Sequence, residues 1–190
     1  MATFFVYGVE KVRIAPAVFT EAAITTGLAS AIQLEDIVID STAYTKNADT
    51  TNDIFAEDKD GAVLTIPANG DPDQITIGLL QQKPTVLAML ENIVYTPATT
   101  KIITLAKRKV ANLMIEITTR SAKDDRKQII VLPNVFVTLS KTGNLNKTGV
   151  EQLLLTGKVG TFTTTTGALE ANSIKTWVTA AGTAIDSTAG

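Results

Sequence analysis

The sequence contains neither histidine nor cysteine. Those two absences remove imidazole bases, thiolate nucleophiles, disulfides and most zinc or copper sites together. Aromatic residues make up only 5% of the chain, with Trp177 its sole tryptophan, which leaves little material for the clustered aromatics of a ligand-binding surface. Neither sign of charge dominates: 17 Lys and Arg stand against 19 Asp and Glu, for a net charge of −2. No basic field is therefore available to grip nucleic acid. No window approaches the roughly 20 apolar residues that span a bilayer. The opening MATFFVYGVEKVRIAP lacks a basic leader region, and Gly8 and charges interrupt its apolar run. No secretory signal or membrane association is expected, and synthesis in a cytoplasm is.

Familiar catalytic and binding patterns are missing as well. No GxxxxGK[ST] or GxGxxG motif follows a strand pattern, and TGKVG at 156–160 is too short to cradle a phosphate. The serines lack a histidine partner and a GxSxG elbow. Ser140 and Lys141 are consecutive, hence on opposite faces of a strand. The stretch DIFAEDKDG (53–61) carries Asp58, Asp60 and Gly61, but a calcium loop needs ligands at alternate positions and a closing Glu, and that spacing fails. Asn146-Lys147-Thr148 matches a glycosylation sequon but reads as a polar turn without a secretory signal. The chain is not expected to be an enzyme or to hold a metal or cofactor.

What is there is threonine, valine and isoleucine in quantity. Their branched Cβ suits a pleated strand and loses rotamer freedom in a helix, so a mainly β chain is expected. Strands are predicted over 3–15, 32–44, 62–66, 74–80, 101–106, 110–119, 128–141 and 150–162, with Pro133 marking a bulge or an edge. In 74–80 the alternation is clean, Ile75, Ile77 and Leu79 against Gln74 and Thr76. Residues 17–30 are ambiguous, with Gly27 expected to break any helix there. One helix is predicted at about 84–93, where Pro84 suits the first turn and Val86, Leu87, Met89, Leu90 and Ile93 form one stripe. Residues 45–61 show no period and are expected to be a long functional loop. Residues 163–190 are small and polar and are expected to be a Thr/Ala-rich extension or arm beyond a 1–162 domain. Two packed antiparallel sheets with one flanking helix fit this count.

The order of elements carries a resemblance. A half-polar strand, DIVIDSTAY, leads into a polar segment ending Phe55-Ala56-Glu57-Asp58-Lys59-Asp60-Gly61. A strand, the alternating QITIGLL and a short helix in KPTVLAMLEN follow. This resembles the major tail tube proteins of tailed bacteriophages, many of which carry an aromatic–Ala–acidic–acidic–x–x–Gly stretch here and an LPxxVxAxLL-like helix next. VYGVEKVRIAP is similar to their first strand, and IIVLPNVFVTLSK and VEQLLLTGKVGTF to their closing strand pair. The resemblance covers most of residues 5–162 and does not reach the Thr-rich tail.

The resemblance implies a structural virion protein with an antiparallel β-sandwich, barrel-forming between subunits, and one flanking helix. It implies homo-oligomeric hexameric rings that stack into the tail tube, with tape-measure and tail-terminator proteins as partners and DNA passing through the lumen without specific binding. A neutral or acidic lumen wall lets a polyanion slide. Candidate wall residues are Asp36, Asp40, Thr42, Gln74, Thr76, Gln152 and Thr156; Lys158 fits such a wall poorly. Candidate interface residues are Ile54 and Phe55 as apolar anchors, with Glu57, Asp58 and Asp60 setting register. Asp124, Asp125 and Arg126 form a second mixed-charge turn. Other assembly subunits (sheath, baseplate, pilus or surface layer) and a ligand-binding β-sandwich are the alternatives.

Overall fold

Alternating branched side chains build one large antiparallel sheet, which frames the computed structural model. It describes residues 7–38, 40–48, 50–55, 62–68, 70–80, 83–99, 101–107, 111–120, 126–143, 150–179 and 181–182, with backbone only at 7, 51–53, 55 and 62–68. The strands are β1 (Tyr7–Pro16), β2 (Ile32–Leu34), β3 (Ala43–Thr45), β4 (Thr50–Phe55), β5 (Ala62–Ala68), β6 (Gln74–Leu79) and β7 (Ile93–Thr96). They continue with β8 (Lys101–Thr104), β9 (Ala111–Arg120), β10 (Arg126–Thr142), β11 (Gln152–Val159), β12 (Phe162–Thr163), β13 (Glu170–Ala171) and β14 (Ile174–Thr179). Two short α-helices, α1 (Ile24–Ala29) and α2 (Pro84–Leu90), and two 3-10 turns, Glu21–Ala23 and Pro97–Thr99, complete the elements of the described chain.

Eight strands share the main sheet in the order β2-β1-β9-β10-β11-β6-β3, with β14 also on β10. β4–β5, β7–β8 and β12–β13 are separate two-stranded ribbons. The fold is thus mainly β, and the chain by itself forms no closed barrel among the described residues. The 17-residue β10 is the spine. Leu132 faces Ile115 and Val135 faces Leu113, so one extra residue bulges out at Pro133–Asn134. Proline has no N–H to give the ladder, which is why the irregularity falls there. Below the bulge β10 pairs with β14, and above it with β11. The carbonyls released at the bulge accept from Val18 N (3.0 Å, Pro133 O) and Gly160 N (2.8 Å, Asn134 O).

The core lies on one face of the curled sheet. Ile14, Ile75, Ile77, Leu79, Ile115, Leu132, Leu153 and Leu155 are fully buried there, and α2 covers them with Val86, Leu87 and Leu90. Burial of each such side chain is worth about 1.5–3 kcal/mol. A smaller cluster on the opposite face joins Met114, Ala15 and Val131 to Ile24 of α1 and to Phe162.

Several expectations are corrected. The helix predicted to reach 93 stops at Leu90, and Glu91 is already extended. Ile93-Val94-Tyr95-Thr96 is a branched and aromatic run that prefers β7 to a third helical turn. Gly27 does not break a helix; α1 runs through it. A Cβ there would stand 2.7 Å from Met114 Cε, so the missing side chain lets α1 lie close on the sheet. The strand predicted over 32–44 is two short strands, because Asp36 (φ 52) and Asp40 (φ 58) take left-handed conformations that end the pleat. Asp tolerates that region through its short polar side chain. The intervening chain crosses from the β2 edge to β6, where Leu80 N donates to Asp36 O (3.0 Å) and Val38 N to Gly78 O (2.9 Å). The 45–61 segment is no featureless loop: residues 50–55 pair with 62–68 as a ribbon. Residues 174–179 do not hang away as an arm but add β14 to the main sheet, Trp177 opposite Gln128.

Candidate assembly surfaces

Strand alternation that points Ile75, Ile77, Leu153 and Leu155 inward turns their neighbours outward. The result is a polar face across β3, β6, β11 and the upper half of β10. Ala43, Thr76, Thr156 and Thr138 stand side by side in one row. In the next row Thr45, Gln74, Lys158 and Phe136 are neighbours. Gln152 opens β11 opposite Thr142 and is exposed. Thr138 Oγ1 donates to Thr156 O (3.3 Å) and Ser140 Oγ to Leu154 O (3.4 Å), tying hydroxyls to the ladder. Gln74, Thr76, Gln152 and Thr156 therefore share one face, with Lys158 the charge among them.

Asp36, Asp40 and Thr42 are elsewhere. They belong to the crossing segment and line a hollow of about 740 Å³ between the start of β1, β2 and Arg120. Val9, Leu34, Ile37 and Val38 give it apolar walls, while Glu10, Glu35, Asp36 and Asp40 add carboxylates. Lys83 pairs with Glu35, and Lys127 Nζ lies 2.7 Å from Glu10. Arg120 Nε donates to Val9 O at 3.3 Å. Thr42 Oγ1 is buried and makes no hydrogen bond among the described residues.

Two polar joints went unseen in the sequence. Arg13 on β1 reaches across to Glu116 on β9 through two hydrogen bonds, Nε to Oε1 at 2.7 Å and Nη2 to Oε2 at 2.6 Å. The bond to Glu116 holds the guanidinium above its ordinary pKa. Asp73 is buried just before β6 and accepts from Tyr44 Oη (2.9 Å), Asn47 N (3.0 Å) and Asn172 Nδ2 (3.0 Å). Burial first, then Asp73, pushes the Tyr44 phenol up to about 12. The Lys175 ammonium sits 5.7 Å from the Tyr44 ring centre. With three donors on its carboxylate, Asp73 fastens the start of β6 to the turn before β14 and is occupied by structure. The sequence signal was only an acid in a turn, which is common in any chain.

The other candidates are distributed as follows. Ile54 is exposed on the β4–β5 ribbon opposite Leu64, and Phe55 ends β4 with its side chain outside the described residues. Glu57, Asp58, Asp60, Asp124 and Asp125 lie outside the described residues. Arg126 opens β10 opposite Thr179. A surface the sequence reading passed over is the β7–β8 ribbon, which exposes Val94 (48%), Ile103 (43%) and Leu105 (43%). Val94 and Ile103 are cross-strand partners, and Leu105 follows on the same side. The run KIITLA reads as an ordinary strand, and nothing in it shows that no sheet covers it.

Among the described residues no group of three or more Asp or Glu is placed to hold a metal ion. Among them, too, no helix is long and apolar enough to cross a membrane. No family model and no curated protein matches the chain.

Proposed function

We propose that the chain is a structural subunit that assembles with copies of itself into stacked rings, the tube of a phage tail. The observation that carries this reading is a pair of two-stranded ribbons, β4–β5 and β7–β8, standing off the main sheet with exposed apolar side chains. A ribbon of two strands is marginal alone in water and gains stability when another surface covers it. Exposed apolar patches of this kind mark association sites. The tail-tube resemblance in 5–162 supplies the form of assembly: the curled sheet folded over its core is the sandwich, and rings of six close the barrel between subunits.

In this reading the face bearing Gln74, Thr76, Gln152 and Thr156 lines the lumen. Hydroxyls and amides hydrogen-bond water and hold a phosphate backbone weakly, whereas Lys158, exposed on the same face, is the one residue named there that would grip it. Ile54 on its ribbon anchors the contact between subunits. Negative-stain microscopy of the purified protein tests the proposal: rings or hollow tubes are expected, and Ile54→Ser is expected to shorten or abolish them with the β signal in circular dichroism unchanged. A protein that stays monomeric at high concentration, with tail-terminator and tape-measure proteins added, sinks it.

A further inference from the structure

The β7–β8 ribbon has a chemical complement on the same molecule. Between Glu91 and Glu116 the sequence contains no acid, while Lys101, Lys107, Arg108 and Lys109 all fall there. The ribbon thus presents Val94, Ile103 and Leu105 beside the exposed Lys101 and Lys107. The hollow lined by Leu34, Ile37 and Val38 presents the reverse, apolar walls beside the exposed carboxylates of Asp36 and Asp40. Neither aspartate has an ion-pair partner among the described residues. At about 740 Å³ the hollow is of the size that takes in a body of several side chains.

The two surfaces are tied to opposite ends of α2 and of β10. Lys83, just before α2, pairs with Glu35 of the hollow, whereas Glu91, just after α2, pairs with Lys141 below the ribbon. β10 runs the same way, from Lys127 on Glu10 of the hollow to Lys141. No residue of the ribbon lines the hollow of its own copy, and a second copy supplies one.

We propose that the β7–β8 ribbon of one copy seats, apolar face first, in the acid-rimmed hollow of a second copy. The joint is heterologous: each copy offers one ribbon and one hollow built from different residues, so it repeats until a ring or fibre forms. Apolar burial supplies the affinity, and the lysine–aspartate match selects the partner and its register. The inference rests on the reading of the chain as a self-assembling subunit, and it names surfaces that the Ile54 ribbon does not include.

The test uses two full-length variants. One carries Lys101→Glu and Lys107→Glu, which spoils the ribbon. The other carries Asp36→Asn and Asp40→Asn, which removes the charge of the hollow while keeping residues that accept a positive φ. Sedimentation velocity should show self-association of each weakened about tenfold or more, the loss expected when a central interface contact goes. Mixed in equal amounts, with Ile54→Ser added to both to silence the other contact, the two should form dimers that grow no further, because one sound ribbon meets one sound hollow. Association of wild-type protein through this joint should weaken in about 1 M salt, where charges are screened beyond about 3 Å, while the apolar burial remains. Wild-type association that both variants retain overturns the joint and leaves the assembly reading standing. A wild-type protein that never associates overturns both. Growth of the mixture past dimers, or binding of the ribbon to anionic vesicles by a chain that stays monomeric, also overturns the joint.

Discussion

Asp73 and Tyr44 show how one buried acid can organise distant parts of a chain. The carboxylate joins β3, the loop carrying Asn47, the start of β6 and the turn before β14. A charge buried this deeply is costly unless its lone pairs are filled, and three donors fill them. The phenol it holds gives a pH dependence of definite sign. Tyr44 in the fold sits at about 12, above the ordinary value of about 10 for an unfolded tyrosine. Its raised pKa means that the unfolded chain loses this proton first as pH rises. The stabilisation is complete below about pH 10 and disappears as pH climbs towards about 12. Urea unfolding of wild type and Tyr44→Phe across that range should therefore converge: the variant is less stable at neutral pH and shows a flatter alkaline decline. Equal alkaline slopes in the two proteins would refute the assignment. Arg13 and Glu116 are the second such pair, placed at facing positions of β1 and β9. Neither pair could be seen in the sequence, because both join residues far apart in the chain whose meeting depends on strand register.

At the scale of elements, alternation was readable wherever one face of a strand is buried. Ile75, Ile77 and Leu79 were placed inward from their spacing alone, and they are fully buried. Pro133 was read as a bulge or edge, and the register slips there. The failures share a cause. Gly27, Asp36 and Asp40 act through close approach or positive φ, which depend on what lies opposite, and composition cannot report that. Residues 50–55 have no apolar alternation because they pair in a ribbon with no core to face. Of the candidate site residues, the β6 and β11 set was placed on one face by its period. The 36–42 set was grouped by a pleat that the structure breaks. Gly157 offers a test of packing at this scale. A Cβ there would lie 2.5 Å from Val135 Cγ1 and 2.9 Å from Ile75 Cγ2, both on stiff branched side chains. Gly157→Ala should destabilise by about 1–3 kcal/mol, as overpacking of a filled core does. A denaturation midpoint equal to or above that of wild type would mean that β6, β10 and β11 are not packed this tightly.

At the scale of the whole molecule, the chain uses its last described strand to finish a sheet begun by its first. β10 has two partners on one side, β11 above the bulge and β14 below it. Without β14 the lower half of β10, from Arg126 to Val131, would lose that partner and present an unpaired edge. The smaller cluster around Phe162 would lose Ile174, which packs against it, and with the turn before β14 Asp73 would lose Asn172. The composition of residues 163–190 gives no hint of this, since threonine and alanine also suit a linker. An appendage and an integral strand differ in what truncation does. Removal of residues 164–190 should lower the unfolding midpoint well below that of wild type and promote aggregation, because exposed edges recruit other strands. Restoring residues 164–182 alone should recover both. An arm that merely trails from a complete domain would leave the midpoint of the 1–163 fragment unchanged, and that result would detach β14 from the fold.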